Sequence, residues 1–419
     1  MNELTNEQHK KIIYAAIIAA IIIAVAITGI SLSLSSSDSA QSPGTGQEQS
    51  AYTEDLFTDK AYPEYAKGYT VEYHGTYKVV QVKDPWGRTS KDLTYLLVQE
   101  GEETPSGYPD ARIIPIPIDS VITLSTTQLP HLKELNETSS IKGHNGIDLV
   151  YDEGYQELFD GGELLEIGSG AMSMESQLKV EQMIELDPDV VFCSASNTDE
   201  YDNRDKLEEA GLTPAVVSDW MENDPLGRAE WIKFFALFYN KEKTANDVFD
   251  RIEENYTTIS DLAKGAGTKP TVFSGIDYQG TWYAPGGESY VAKLFADAGS
   301  DYLYADNNET GSIALDFESV YDRAQDADFW MNTGYGSDAA DLLSYDSRYS
   351  KFMAYQTGNV YNYNARENEY GGNDYWQSGV IKPDVILADL VKIYHPELLP
   401  DHELYYYKNI GATRAEEGA

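Results

Sequence analysis

Residues 226–264 constrain the fold of this chain more than any other stretch. Asp224 and Pro225 are a helix start signal, an acidic cap followed by a residue whose fixed φ suits a first turn. Trp231, Ile232, Phe234, Phe235, Leu237 and Phe238 then leave so little polar circumference that their helix must be buried. Asn240-Lys241-Glu242 interrupts the pattern. Val248, Ile252, Tyr256, Ile259 and Leu262 follow at spacings of three or four, one stripe along a second helix from Thr244 to Lys264. At 1.5 Å per residue that helix is about 30 Å long, the width of a small domain. Gly265-Ala266-Gly267 ends it. Short strands and helices alternate on both sides. A chain of 419 residues usually divides into domains, so 226–264 is expected to be a helical strut between two α/β lobes.

The N-terminus has a different character. Lys10 and Lys11 precede an uncharged apolar run from Ile12 to Ile30, long enough to cross a bilayer. The flanking lysines place residues 1–11 in the cytoplasm and residues 31–419 outside, anchored at the cell surface in the cytoplasmic membrane. A signal peptide cleaved near Ser39-Ala40 is the alternative. Residues 31–65 open with a Ser-, Gln- and Gly-rich tether and are expected to be a flexible linker. Cys193 is the only cysteine, so no internal disulfide forms and no cysteine follows the apolar run to carry a lipid. Its setting, Val190-Val191-Phe192-Cys193, suits a buried inert thiol. Three Asn-x-Thr sequons, at Asn136, Asn255 and Asn308, fit an exported surface.

Beyond the linker, residues 66–118 read as a small β element. Tyr69 to Val82 alternates around His74-Gly75, a hairpin signal, and Thr94–Gln99 and Ile113–Ile118 add strands. Residues 119–225 form the first lobe, with strands at 121–124, 140–143, 164–167, 189–193 and 213–217 and helices between them. Residues 265–419 form the second lobe, with strands at 271–273, 302–303, 328–331 and 360–363 and a closing helix at 384–393. Such alternation argues two Rossmann-like lobes with mainly parallel sheets, an α/β fold. In open α/β sheets ligands bind beyond the carboxyl ends of the strands. The loops there hold Thr126, Met172-Ser173, Ser196-Asn197, Tyr278, Trp282-Tyr283, Tyr335 and Arg366. Trp282, Tyr283, Tyr335 and Trp376 are expected to supply flat apolar walls. Arg366 is expected to face carboxylate or phosphate oxygens.

Several chemistries are absent. No phosphate-binding GxxxxGK[ST] or GxGxxG follows a strand, and no GxSxG elbow is present. The six histidines are scattered, without the spacing of a zinc site. Net charge is −40, from 70 acidic and 30 basic residues, which disfavours nucleic acid and favours a soluble monomer. Paired carboxylates are too common in such a chain to identify a hydrolase. Nothing points to an enzyme, a resident cofactor or a bound metal.

Particular residues carry a resemblance. Val121-Ile122-Thr123-Leu124-Ser125, the run Glu181-Gln182-Met183-Ile184-Glu185-Leu186-Asp187-Pro188-Asp189-Val190-Val191, and Gly227-Arg228-Ala229-Glu230-Trp231 resemble the substrate-binding proteins of iron-siderophore and cobalamin ABC importers. Phe317-Glu318-Ser319-Val320, Gly372-Asn373-Asp374-Tyr375-Trp376 and Lys382-Pro383-Asp384 do so as well. The resemblance covers Ile113 to Leu399. It implies capture of a ferric siderophore, haem or corrinoid between the lobes and delivery to a permease with its ATPase. It also implies that Glu181 and Glu318, one on each lobe, dock onto the permease. Two features depart from the family: the lipoprotein cysteine is missing, and the segment before Ile113 is longer. An extracellular enzyme or a sensor ectodomain on the same fold is the competing reading.

Overall fold

The computed structural model describes residues 55–84, 92–168, 178–194, 203–334 and 336–411. The expected membrane span at 12–30, Met172-Ser173, Ser196-Asn197 and Tyr335 lie outside them. No helix among the described residues is long and apolar enough to cross a membrane.

The N-terminal element is a four-stranded sheet of β1 (Tyr69–His74), β2 (Tyr77–Val82), β3 (Leu93–Gln99) and β4 (Arg112–Ile116), paired in that order. Its hairpin turns at Gly75-Thr76, with Gly75 at φ +54°, a left-handed geometry that glycine adopts without strain. One face buries Tyr69, Val80, Val82, Tyr95, Leu97 and Ile114 in the main core. Lys78 crosses to the strut: its Nζ meets Glu242 Oε1 at 2.5 Å, the Leu237 carbonyl at 2.7 Å and Asn240 Oδ1 at 2.8 Å.

The first lobe carries strands β5 (Val121–Thr123), β6 (Ile141–His144), β7 (Leu165–Glu166), β8 (Val190–Ser194) and β9 (Pro214–Val217). All pair in parallel, in the order β7-β6-β5-β8-β9. The order reverses at β5, and doubly wound sheets open their ligand crevice at such a point. Helices α1 (Leu129–Glu134), α2 (Glu153–Asp160), α3 (Val180–Leu186) and α4 (Arg204–Glu209) connect these strands. Cys193 is buried in β8, as its apolar setting implies.

The strut begins with α5 (Pro225–Ala229), capped by Asp224 Oδ1 on the Leu226 and Gly227 amides. Next comes α6 (Trp231–Tyr239), all nine residues of which are buried. Asn240, at φ +53°, turns the chain into α7 (Glu242–Lys264). Its 23 residues span about 34 Å at 1.5 Å each. The buried stripe of α7 is Ala245, Val248, Phe249, Ile252, Tyr256, Ser260 and Ala263. Leu262, expected on it, is 39% exposed; the stripe passes through Ala263 instead, which faces the core one residue later.

The second lobe has a sheet of β10 (Thr271–Ser274), β13 (Asp301–Tyr302), β15 (Phe329–Met331), β16 (Val360–Asn362) and β17 (Lys408–Asn409), ordered β13-β10-β15-β16-β17. Only β17 runs antiparallel. A separate antiparallel sheet of β11 (Ile276–Tyr278), β12 (Thr281–Pro285) and β14 (Ser312–Leu315) stands beyond β10. Helices α8 (Tyr290–Asp297), α9 (Phe317–Ala324), α10 (Ala339–Tyr345), α11 (Met353–Gln356) and α12 (Pro383–Tyr394) complete the lobe. The C-terminal segment is pinned by Asp389 of α12. This fully buried carboxylate accepts from the amides of Tyr405, Tyr406 and Tyr407 and from His402 Nε2.

Candidate functional site

The carboxyl ends of the two parallel sheets are brought together by contacts between the loop after β6 and the connection after β16. The Tyr151 amide donates to Gln377 Oε1 at 2.7 Å, and Asn368 Nδ2 donates to the Asp148 and Val150 carbonyls at 2.9 and 3.1 Å. Gly372 lies so close to the Leu149 carbonyl that a Cβ there would approach its oxygen to 2.3 Å. The glycine of Gly372-Asn373-Asp374-Tyr375-Trp376 is therefore a backbone contact between lobes.

Polar groups collect along this rim. Ser125 caps the turn after β5 with its side chain, while Gln128 Oε1 accepts from the Leu124 and Ser125 amides. Buried side-chain atoms without a partner among the described residues include Gln128 Nε2, His144 Nε2, Ser218 Oγ and Asp219 Oδ2 on the first lobe, and Ser274 Oγ, Asn362 Nδ2 and Asn364 Oδ1 on the second. A buried polar atom left unpaired costs about 1–3 kcal/mol, so such groups suit a polar ligand or water. Burial lowers the His144 pKa to about 3, partly offset by a bond to Thr123, and the ring is neutral near pH 7. His131, stacked on Phe235 at 4.8 Å, is lowered to about 3 by burial and then by the nearby Arg228. Burial raises the Asp219 carboxyl. Arg228 of α5 lies over the Tyr290 ring of α8 at 4.3 Å, joining the start of the strut to the second lobe.

The expected site residues divide sharply. Thr126 is half-buried in the turn after β5, at the rim. Tyr278 and Tyr283 are half-buried on the β11–β12 hairpin, which begins just beyond the carboxyl end of β10. Trp376 is half-buried against Tyr363 and Tyr375. Arg366 gives its Nε to Asp374 Oδ2 at 2.7 Å, and its guanidinium lies 4.8 Å from the Tyr151 ring and 4.1 Å from that of Tyr405. It thus touches both lobes. Trp282 is a correction. It is fully buried, donates Nε1–H to the Ser274 carbonyl at 3.0 Å, and packs against Phe273, Trp330, Tyr349 and Phe352. It belongs to the aromatic core because its neighbours on β12 alternate outward.

Glu181 is exposed in the first turn of α3. Glu318 is exposed in the first turn of α9, with Arg348 Nη1 at 3.3 Å. No cluster of metal-ligating side chains occurs among the described residues. A cavity of about 590 Å³ lies beside this rim. Its walls come from Glu64, Tyr65, Lys67, Gly68, Lys83 and the connection after β9, so it lies between the N-terminal segment and the first lobe.

Two buried glutamates have a role that the sequence did not disclose. Glu230 accepts from the amides of Glu64, Tyr65 and Ala66 and from Lys233 Nζ. Glu222 accepts from the amides of Lys67 and Gly68 and from Trp231 Nε1. Together they fasten the N-terminal segment to the strut. Glu230 stands in the Gly227-Arg228-Ala229-Glu230-Trp231 run that carries the family resemblance, whereas nothing local marks Glu222.

The family model described as periplasmic binding protein matches residues 121–367. An uncharacterized lipoprotein of Methanocaldococcus jannaschii is 30% identical over 308 residues, covering 71% of this chain and 70% of its own length. A second uncharacterized lipoprotein of that organism is 27% identical over 362 residues, covering 84% and 85%. Among solved structures, a possible iron-binding (periplasmic solute-binding) protein of Staphylococcus epidermidis superposes with a TM-score of 0.53 at 18% identity, covering 67% of this chain and 99% of its own.

Proposed function

The chain belongs to the periplasmic binding protein family, and from that premise we propose that it captures a small metal complex between its lobes and delivers it to an ABC importer. The observation that carries this reading is the pair of mainly parallel sheets whose carboxyl ends are brought together, with buried polar atoms along the rim that have no partner among the described residues. Ligands of doubly wound sheets sit in that position. The ligand class is an iron complex, ferric siderophore or haem, or a corrinoid. The sequence resemblance supports it, as does the likeness to a structure described as possibly iron-binding.

Thr126, Tyr278, Tyr283, Trp376 and Arg366 are the contacts assigned to the ligand, with Tyr335 as a further candidate. Among the described residues the Arg366 Nη atoms make no hydrogen bond, which leaves a fork for carboxylate or phosphate oxygens. Glu181 and Glu318 are assigned to permease docking, where exposed carboxylates on separate lobes would meet cations and steer association. Residues 12–30 hold the protein at the membrane with residues 31–419 outside. The activity is binding, without catalysis.

Native mass spectrometry of the purified ectodomain with ferric siderophores, haem and cobalamin tests this. One of these should bind at micromolar concentration, and failure of all three would overturn the assignment of ligand class.

A further inference from the structure

The three sequons occupy very different surroundings, and the differences decide which of them can react. In the acceptor motif Asn-x-Thr, the asparagine amide must reach a transferase and the threonine hydroxyl must be free for recognition. Asn308 and Thr310 are both exposed in the connection between β13 and β14, and among the described residues neither side chain makes a hydrogen bond. The residues flanking Asn308 hold that loop in place. The Glu309 carbonyl accepts from the Glu288 amide at 3.0 Å, and Asn307 Oδ1 accepts from the Gly287 amide at 3.1 Å.

Asn255 and Thr257 are exposed as well, but both side chains are engaged. Asn255 lies within α7, where its Nδ2 donates to Asp384 Oδ2 at 3.1 Å, and a glycan on that nitrogen would meet α12. The hydroxyl of Thr257 is spent on the Glu253 carbonyl at 2.7 Å. Asn136 is exposed in a left-handed turn after α1, at φ +57°. Its partner Thr138 is half-buried beside the Tyr155 hydroxyl, which ranks this sequon below Asn308.

We propose that Asn308 is an N-glycan acceptor and that Asn255 is not. The reaction joins Asn308 Nδ2 to the anomeric carbon of an oligosaccharide carried on a polyprenyl phosphate. The anomeric C–O bond to phosphate breaks, the lipid phosphate leaves with the electron pair, and a base of the membrane transferase takes the amide proton. This inference rests on the placement of residues 31–419 outside the membrane.

The test uses the full chain purified from membranes of its own source. Peptide mass spectrometry should find hexose-containing mass on the Asn308 peptide and none on the Asn255 peptide. Thr310→Ala should abolish the Asn308 modification, and Thr310→Ser should retain it. In parallel, a membrane-impermeant amine reagent applied to intact cells reports whether the chain is outside. Labelled chain with unmodified Asn308 overturns the glycan proposal and leaves the surface placement standing. Modified Asn255 also overturns it. Unlabelled chain removes the surface placement, and the glycan proposal with it.

Discussion

Lys78 is the sharpest point at which to test how the N-terminal sheet is fastened. Its side chain is fully buried, its ammonium contacts Glu242 at 2.5 Å, and it lies 4.6 Å from the Phe57 ring. Lys78→Met fills similar space but strands Glu242, whose side chain is 4% exposed and keeps, among the described residues, a long 3.4 Å bond from Tyr73. Breaking one partner of a buried pair costs about 3–5 kcal/mol. Urea unfolding followed by circular dichroism should show a loss of that size. Replacing both members, Lys78→Met with Glu242→Leu, removes the stranded charge and should recover most of it, since apolar pairs replace buried ion pairs at little cost. The pH dependence has a definite sign. Burial, opposed by Glu242, lowers the Lys78 pKa from its ordinary 10.5 to about 8. Between these values the unfolded chain binds the additional proton, so the stability contribution of Lys78 rises as pH climbs from about 8 to 10.5. The difference between wild type and Lys78→Met isolates that contribution. A cost below about 1 kcal/mol, or a double variant no more stable than the single one, would refute the reasoning.

Gly372→Ala should separate the lobes at Leu149, lowering the melting temperature and raising the radius of gyration in solution scattering; unchanged values would show that the close approach is dispensable. Trp282→Ala should cost roughly 3–5 kcal/mol of stability as a core truncation, whereas Arg366→Ala should weaken ligand binding at least tenfold. An affinity untouched by Arg366→Ala would remove that residue from the site. Scattering curves with and without ligand should nearly superimpose, because the 23-residue α7 is unbroken and has few soft dihedrals to open; marked compaction would locate a hinge near Gly265. Glu181→Ala with Glu318→Ala should leave ligand affinity intact and abolish uptake in reconstituted vesicles, and normal uptake would end the docking assignment.

Much of the local structure was legible in the residues themselves. The buried helix at 231–239, the break at Asn240, the β1–β2 hairpin and most strands of the two parallel sheets follow from period and punctuation. The antiparallel sheet of the second lobe was not legible. Its strands are three to five residues long, and its first turn is Gln279-Gly280 instead of a strong turn pair such as Asn-Gly.

What the sequence by itself determined is what neighbouring residues impose on one another: which segments are helix or strand, where they stop, and which must be buried. Tertiary structure decided which face of each segment meets which partner. Trp282 and Tyr283 are adjacent on β12, yet the pleat sends one into the aromatic core and leaves the other half-exposed. Glu222 and Glu230 look like any of the 70 acidic residues until the backbone of 64–68 folds onto them. Gly372 looks like a turn residue until the Leu149 carbonyl arrives from the other lobe. These contacts join positions remote in sequence, and no local pattern encodes which distant backbone will come to lie against them.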